Sequence, residues 1–264
     1  MLQVQNLHKT FNKSTVNENT VFDKFNLTVN PGDFITIIGS NGAGKSTLLN
    51  IISGMIRPDE GSIVLKDKDL SKLPEYKCTQ YIGRVFQDPG MGTSPSMTIL
   101  ENMSMAYNKG KKFDLSFGIN KKNISYFKEL LASIGLGLED KLHTKVKLLS
   151  GGQKQSLALL IAVMSKPQLL LLDEHTAALD PKTSEKVNEL TQAIVEKEKI
   201  TTLMVTHNLT HAIKMGNRLI MMHHGKLIFD ISGEEKKKLT IEKLLQKFEE
   251  IKEDDLISDR ALFS

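Results

Sequence analysis

The chain has 264 residues, 40% hydrophobic and 25% charged, which are ordinary globular values with room for a sizeable core. Its 35 basic and 31 acidic residues leave a net charge of +4, too mild and too dispersed for a nucleic-acid binder. The single cysteine, Cys78, excludes an intramolecular disulfide and points to a reducing compartment, and no apolar run reaches the ~18 residues needed to span a bilayer.

Residues 1–6 lack the basic and apolar regions of a signal peptide, so a cytoplasmic protein is expected, with any membrane part supplied by another chain. Leu2, Val4 and Asn6, then Thr20–Val29, read as short alternating strands around a polar hairpin at Asn12–Asn19. Pro31-Gly32-Asp33 is a turn, and Phe34–Ile38 a β-branched strand. That strand feeds Gly39-Ser40-Asn41-Gly42-Ala43-Gly44-Lys45-Ser46-Thr47, and Leu48–Ile52 continues as a helix. The stretch fits the phosphate-loop pattern G-x-x-x-x-G-K-[ST] in its required strand–turn–helix setting. Its chemistry follows from residue types. Glycines let the backbone approach phosphate oxygens, and a helix N-terminus offers free N–H groups. Lys45 places a positive charge on the β/γ oxygens of a triphosphate, and the Ser46 hydroxyl suits Mg²⁺.

Ser62–Leu65 and Tyr81–Phe86 read as strands, the second ending at Gln87-Asp88-Pro89. From about 90 to 160 the character is helical, with apolar spacing at Thr98–Tyr107 and Ile124–Ile134. Between these lies a polar segment, 108–123, with lysines 109, 111, 112, 121 and 122, read as a solvated surface insert. Leu149-Ser150-Gly151-Gly152-Gln153 precedes a helix running to Ser165. Ser150 suits an N-cap, and the glycines expose backbone N–H groups at the positive end of the helix dipole. Alone, this is either a capped helix or a second phosphate-binding surface. Leu169–Leu172 is a continuous apolar strand, as in a parallel sheet covered on both faces, and it ends in Asp173-Glu174. With a phosphate loop upstream, Asp173 suits Mg²⁺ and Glu174 suits the orientation of an attacking water. A helix over Thr183–Lys197, a strand over Thr201–Thr206 and a helix over Leu209–Met215 follow. Leu219–Met222 and Lys226–Asp230 form a hairpin around His224-Gly225, and Ile241–Ile251 is an amphipathic charged helix. This order predicts an α/β fold: a P-loop core with a mostly parallel sheet, an N-terminal antiparallel β subdomain and an inserted α-helical subdomain. One domain is expected over 1–240, with a helical tail at 241–264.

With the phosphate loop and the carboxylate strand in place, LSGGQ at 149–153 resembles the signature sequence of ATP-binding-cassette transporter ATPase subunits. The resemblance spans about residues 2–230. It implies ATP and Mg²⁺ as ligands and Glu174 as the catalytic glutamate. Gln87 becomes a further Mg²⁺ ligand that senses the transmembrane partner, and His207 the switch histidine. Ala177–Asp180 matches the D-loop. Phe11 becomes the adenine-stacking aromatic, with Phe22 in reserve. In such proteins a second subunit completes the nucleotide site through residues matching Ser150, Gly151, Gly152, Gln153 and Asp180. Membrane permeases and, indirectly, a solute-binding protein are the implied partners, with the ATPase held peripherally on the inner face of the membrane.

The chain departs from common family residues at His175, where Pro is usual, and at Ala177, Asn208, Ser156 and Ile161. None of these removes a phosphate or metal ligand. The run from Glu174 to Thr183, with Gly216–His223, looks like the ATPases of tryptophan/tyrosine-type uptake systems. An exporter subunit and a non-transport relative stay open as alternatives. Against the DNA-repair type, only 61 residues separate Gln87 from Leu149, without a long heptad run.

Overall fold

The computed structural model describes residues 1–110 and 118–250. Apolar alternation at the N-terminus sets the first sheet. Leu2–Phe11 (β1) pairs antiparallel with Asn19–Val29 (β2), Leu2 opposite Val29 and Phe11 opposite Asn19. Glu60–Leu65 (β4) pairs with the other side of β1, and Lys68–Asp69 (β5) completes the order β2-β1-β4-β5.

The second sheet carries the continuous apolar strands. Its order is β10-β9-β3-β8-β7-β6, where β3 is Phe34–Gly39, β6 Ile82–Val85, β7 Leu169–Asp173 and β8 Thr201–Val205. These four run parallel. Arg218–His223 (β9) joins parallel to β3, and Lys226–Ser232 (β10) returns antiparallel around the His224-Gly225 turn. Period-two alternation splits β7 between two cores. Leu169 and Leu171 pack with helix α1 (Lys45–Ile52) and the first sheet. Leu170 and Leu172 pack with α3 (Ile99–Tyr107), α4 (Ile124–Ala132) and α5 (Gly151–Met164). The short helix α2, Glu75–Cys78, precedes β6. After β7 come α6 (Pro181–Glu198), α7 (Leu209–Lys214) and α8 (Gly233–Lys237). A third cluster joins Ile38, Ala212, Leu219 and Met221 to Leu239 and Leu244, the latter inside a helix over 241–250.

The fold class is the expected one; β5, α2 and α8 are short elements the sequence did not announce, and the other differences are at element ends. The helix expected after Gln153 begins at Gly151, because Ser150 and Gln153 form a reciprocal capping box that draws both glycines into its first turn. The helix expected from Thr183 begins at Pro181, since Asp180 caps it and proline is pre-set for the first helical position. Lysines 111 and 112 of the basic segment, and 251–264 of the tail, lie outside the described residues.

Candidate functional site

In open parallel sheets, ligands collect beyond the carboxyl ends of the strands. Here β3, β7 and β8 end side by side, with Asp173 in register with Val205 and Ile37 with Val205. The phosphate loop, the Asp173-Glu174 pair and His207 leave from those ends.

The loop after β3 is shaped by backbone geometry. Gly39 has φ +151, and a Cβ there would lie 2.1 Å from the Met222 carbonyl oxygen, so β9 packs too close for any side chain. Gly44, left-handed at φ 93, caps α1 without a side-chain hydrogen bond, and no acidic residue sits in the first turn. The free N–H groups of α1 therefore face the loop with no acidic residue of their own helix to offset their positive potential. Lys45 is buried, and its Nζ donates to the carbonyls of Gly39 at 2.9 Å and Ser40 at 2.8 Å. Burial lowers its pKa, opposed by the charges of Glu174 and Asp173. Ser40 Oγ is held 2.9 Å from His223 Nδ1 at the end of β9.

Ser46 Oγ donates to Asp173 Oδ1 at 3.1 Å, bringing a hydroxyl and a carboxylate together across the α1–β7 boundary. These are hard oxygen donors of the kind Mg²⁺ takes. Glu174, the next residue, adopts φ 45, and its N–H bonds the Val205 carbonyl. This non-glycine in the left-handed region turns the carboxylate toward β8. There Glu174 Oε1 lies 2.6 Å from Nε2 of His207. The expected adjacency of the 201–206 and 169–173 strands produces this meeting.

A pocket of about 520 Å³ joins loop residues 41–47 to Phe11, Asn19, Val21, Glu174 and His207. Phe11 lines it. Phe22, the reserve aromatic, is fully buried beneath the loop against Phe25, with ring centroids 5.1 Å apart, and has no face to offer. Gln87 is exposed after β6 and is not part of this lining. Neither are Ser150, Gly151, Gly152, Gln153 and Asp180. The first four open α5, whose N-cap Ser150 is exposed. Gly152 is buried, and a Cβ there would lie 2.3 Å from Thr183 Cγ2, so close packing on α6 by itself favours glycine. Asp180 accepts from the Thr183 N–H at 3.1 Å.

Sequence reading passed over Arg84, whose Nη2 lies 3.3 Å from Asp173 Oδ2. The available signal was one charged residue within Ile82-Gly83-Arg84-Val85, a strand otherwise buried. It also passed over His223, recognisable only through the register that places β9 beside β3.

A family model described as ABC transporter matches residues 22–177. The tyrosine transport ATP-binding protein of Clostridioides difficile (strain R20291) is 52% identical over 249 residues, covering 94% of this chain and 99% of that one. The spermidine/putrescine import ATP-binding protein PotA of Haemophilus influenzae (strain ATCC 51907) is 35% identical over 223 residues. That alignment covers 84% of this chain and 57% of PotA. The chain thus spans little more than half the length of that relative. Among solved structures, the dimeric post-hydrolysis state of the ATP-binding cassette MJ0796 bound to ADP and phosphate is similar, with a TM-score of 0.75 and 30% identity over 88% of this chain and 98% of that one. The ADP conformation of the cassette MJ1267 is similar with a TM-score of 0.77 and 27% identity over 94% and 98%.

Proposed function

The chain belongs to the ABC transporter family, and on that premise we propose that it is the ATP-hydrolysing subunit of an importer for a small solute such as an amino acid. The family and the ATPase activity are shared with its relatives. Import of an amino acid is supported by the tyrosine transport relative, and import in general by PotA. An exporter subunit is the alternative. We take residues 1–240 as one ATPase unit, with the helical region of about 90–160 inserted into it.

In this reading the free N–H groups of α1 and the loop backbone, Gly39 to Thr47, receive the phosphates, and Phe11 receives the adenine. Lys45 exchanges the Gly39 and Ser40 carbonyls for phosphate oxygens. Ser46, Asp173 and Gln87 would hold Mg²⁺, which when bound supplies Lewis-acid neutralisation of phosphate charge. Glu174 orients water and accepts its proton, and His207 holds the carboxylate until a terminal phosphate competes for the imidazole. Ser150, Gly151, Gly152, Gln153 and Asp180 act on the nucleotide of a second copy, since they do not line the pocket of their own chain. A groove of about 570 Å³ beside β6, with exposed Met91 and Met105 and the ring of Phe86, suits an inserted permease segment at the inner face of the membrane. The permeases would in turn meet a solute-binding protein.

The observation that carries the reading is the convergence of Lys45, Ser46, Asp173, Glu174 and His207 at one end of the parallel sheet. Glu174→Gln is expected to keep ATP binding, cut phosphate release at least about a hundredfold and accumulate an ATP-bound dimer on size exclusion. Wild-type turnover in this variant contradicts the assignment.

A further inference from the structure

A lone arginine in a buried strand costs desolvation that neighbours must offset. Arg84 lies opposite Leu171 in the β6–β7 register, so it shares a sheet face with Asp173, two residues further on, at a diagonal a long side chain spans. Its side chain is only 9% exposed. The guanidinium fork is committed in several directions. Nη2 donates to Asn50 Oδ1 at 2.6 Å and to Asp173 Oδ2 at 3.3 Å. Nη1 meets Ser53 Oγ at 2.9 Å, and the guanidinium carbon lies 4.5 Å from the centroid of the Phe86 ring. Asn50 and Ser53 belong to or adjoin α1, the helix that carries Lys45 and Ser46.

The two oxygens of Asp173 are therefore held from different sides. Oδ1 accepts from Ser46 and Oδ2 from Arg84. With Oδ2 pinned, the carboxylate cannot rotate freely, and Oδ1 stays on the Ser46 side, where the metal would be held. Partners behind a metal ligand orient it and set its affinity. We propose that Arg84 is a positioning residue for the Asp173 carboxylate, tying its orientation to the phosphate-loop helix, an inference that rests on the ATP and Mg²⁺ reading above. Arginine suits the role because a planar fork serves two anchors at once, whereas a lysine ammonium is a point charge.

The test uses the full chain, a nonhydrolysable ATP analogue, and Mn²⁺ in place of Mg²⁺, followed by electron paramagnetic resonance. Arg84→Met keeps an unbranched apolar stem over Phe86. It is expected to weaken Mn²⁺ about tenfold and to change the Mn²⁺ line shape, with metal-free analogue affinity held within about twofold. Arg84→Lys recovers part of the loss. Unchanged Mn²⁺ affinity and line shape in folded Arg84→Met overturn the proposal. So does a parallel fall in metal-bound and metal-free binding, which marks a merely structural residue. If Arg84→Met does not fold, Asn50→Ala releases the fork from its shortest anchor and is expected to weaken Mn²⁺ by a smaller factor; an unchanged affinity there overturns the proposal equally. A wild-type chain that binds the analogue but no Mn²⁺ defeats the metal site itself, an outcome distinct from unaffected variants.

Discussion

His175 follows the proposed catalytic glutamate, and the structure supplies a use for it. The imidazole is 2% exposed, and its Nε2 lies 3.1 Å from Thr191 Oγ1. Thr191 spends its own proton on the Val187 carbonyl at 2.7 Å, so its oxygen accepts and His175 carries its hydrogen on Nε2. Burial, with the nearby His211, lowers the His175 pKa to about 4. The folded chain thus refuses a proton that the unfolded chain accepts below about 6.5. The stability this neutral histidine contributes is fully present above pH 6.5 and is lost as pH falls toward 4. The total loss is about 3 kcal/mol from a shift of that size. Urea denaturation across this window should show a steeper decline in wild type than in His175→Asn; superimposable slopes would remove the argument. Burial lowers the Lys45 pKa as well, but there the neighbouring charges of Glu174 and Asp173 oppose the shift.

At the scale of elements, one buried lysine adds to the apolar contacts of Leu239 and Leu244 in holding the C-terminal segment. Lys236 in α8 is buried, and its Nζ donates to the carbonyls of Met215 and Gly216, the latter at 3.1 Å. These carbonyls sit at the end of α7, where a cation also meets the negative end of the helix dipole. Burial lowers the Lys236 pKa to about 8. Lys236→Ala strands these acceptors and frees the link between α8 and the α7–β9 connection. We expect a loss of about 2 to 3 kcal/mol in chemical denaturation. A loss under about 0.5 kcal/mol would mean that water replaces the ammonium without cost. The Ser150 cap was visible in the sequence, and the structure makes Ser150 with Gln153, and Thr98 with Glu101, reciprocal boxes. The consequence for Gly151 and Gly152 was not visible in the sequence, because a helix start within a glycine pair depends on the reciprocal bond and on packing against Thr183.

At the scale of the molecule, several elements line the pocket proposed for the nucleotide. Its lining holds residues from β1, β2, the phosphate loop and the ends of β7 and β8, with nothing from the start of α5. In the proposed arrangement a second copy supplies that segment. Ser150→Asp separates the cap from the contact. Aspartate caps a helix as well as serine does, so monomer stability should change by less than about 0.5 kcal/mol. Its charge would face the phosphates of the partner's ATP. In the Glu174→Gln background, Ser150→Asp should abolish the ATP-induced dimer on size exclusion while leaving ATP binding by the monomer intact. A dimer that persists would place the α5 N-terminus outside the nucleotide interface.

From residue order alone came the phosphate loop, the carboxylates ending a buried strand, the capped segment at 149–153, the alternation of strands and helices, and hence the fold class. These are local: a glycine spacing, a two-residue period or a cap is complete within a dozen residues. What the tertiary structure decided is which separate stretches meet. It chose Phe11 over Phe22 as the aromatic at the pocket, since Phe22 fills the core beneath Gly44. It set His207 on Glu174, and it placed Arg84 behind Asp173 through the β6–β7 register. Contacts of that kind depend on strand order in the sheet, which long-range packing sets and no short window of sequence contains.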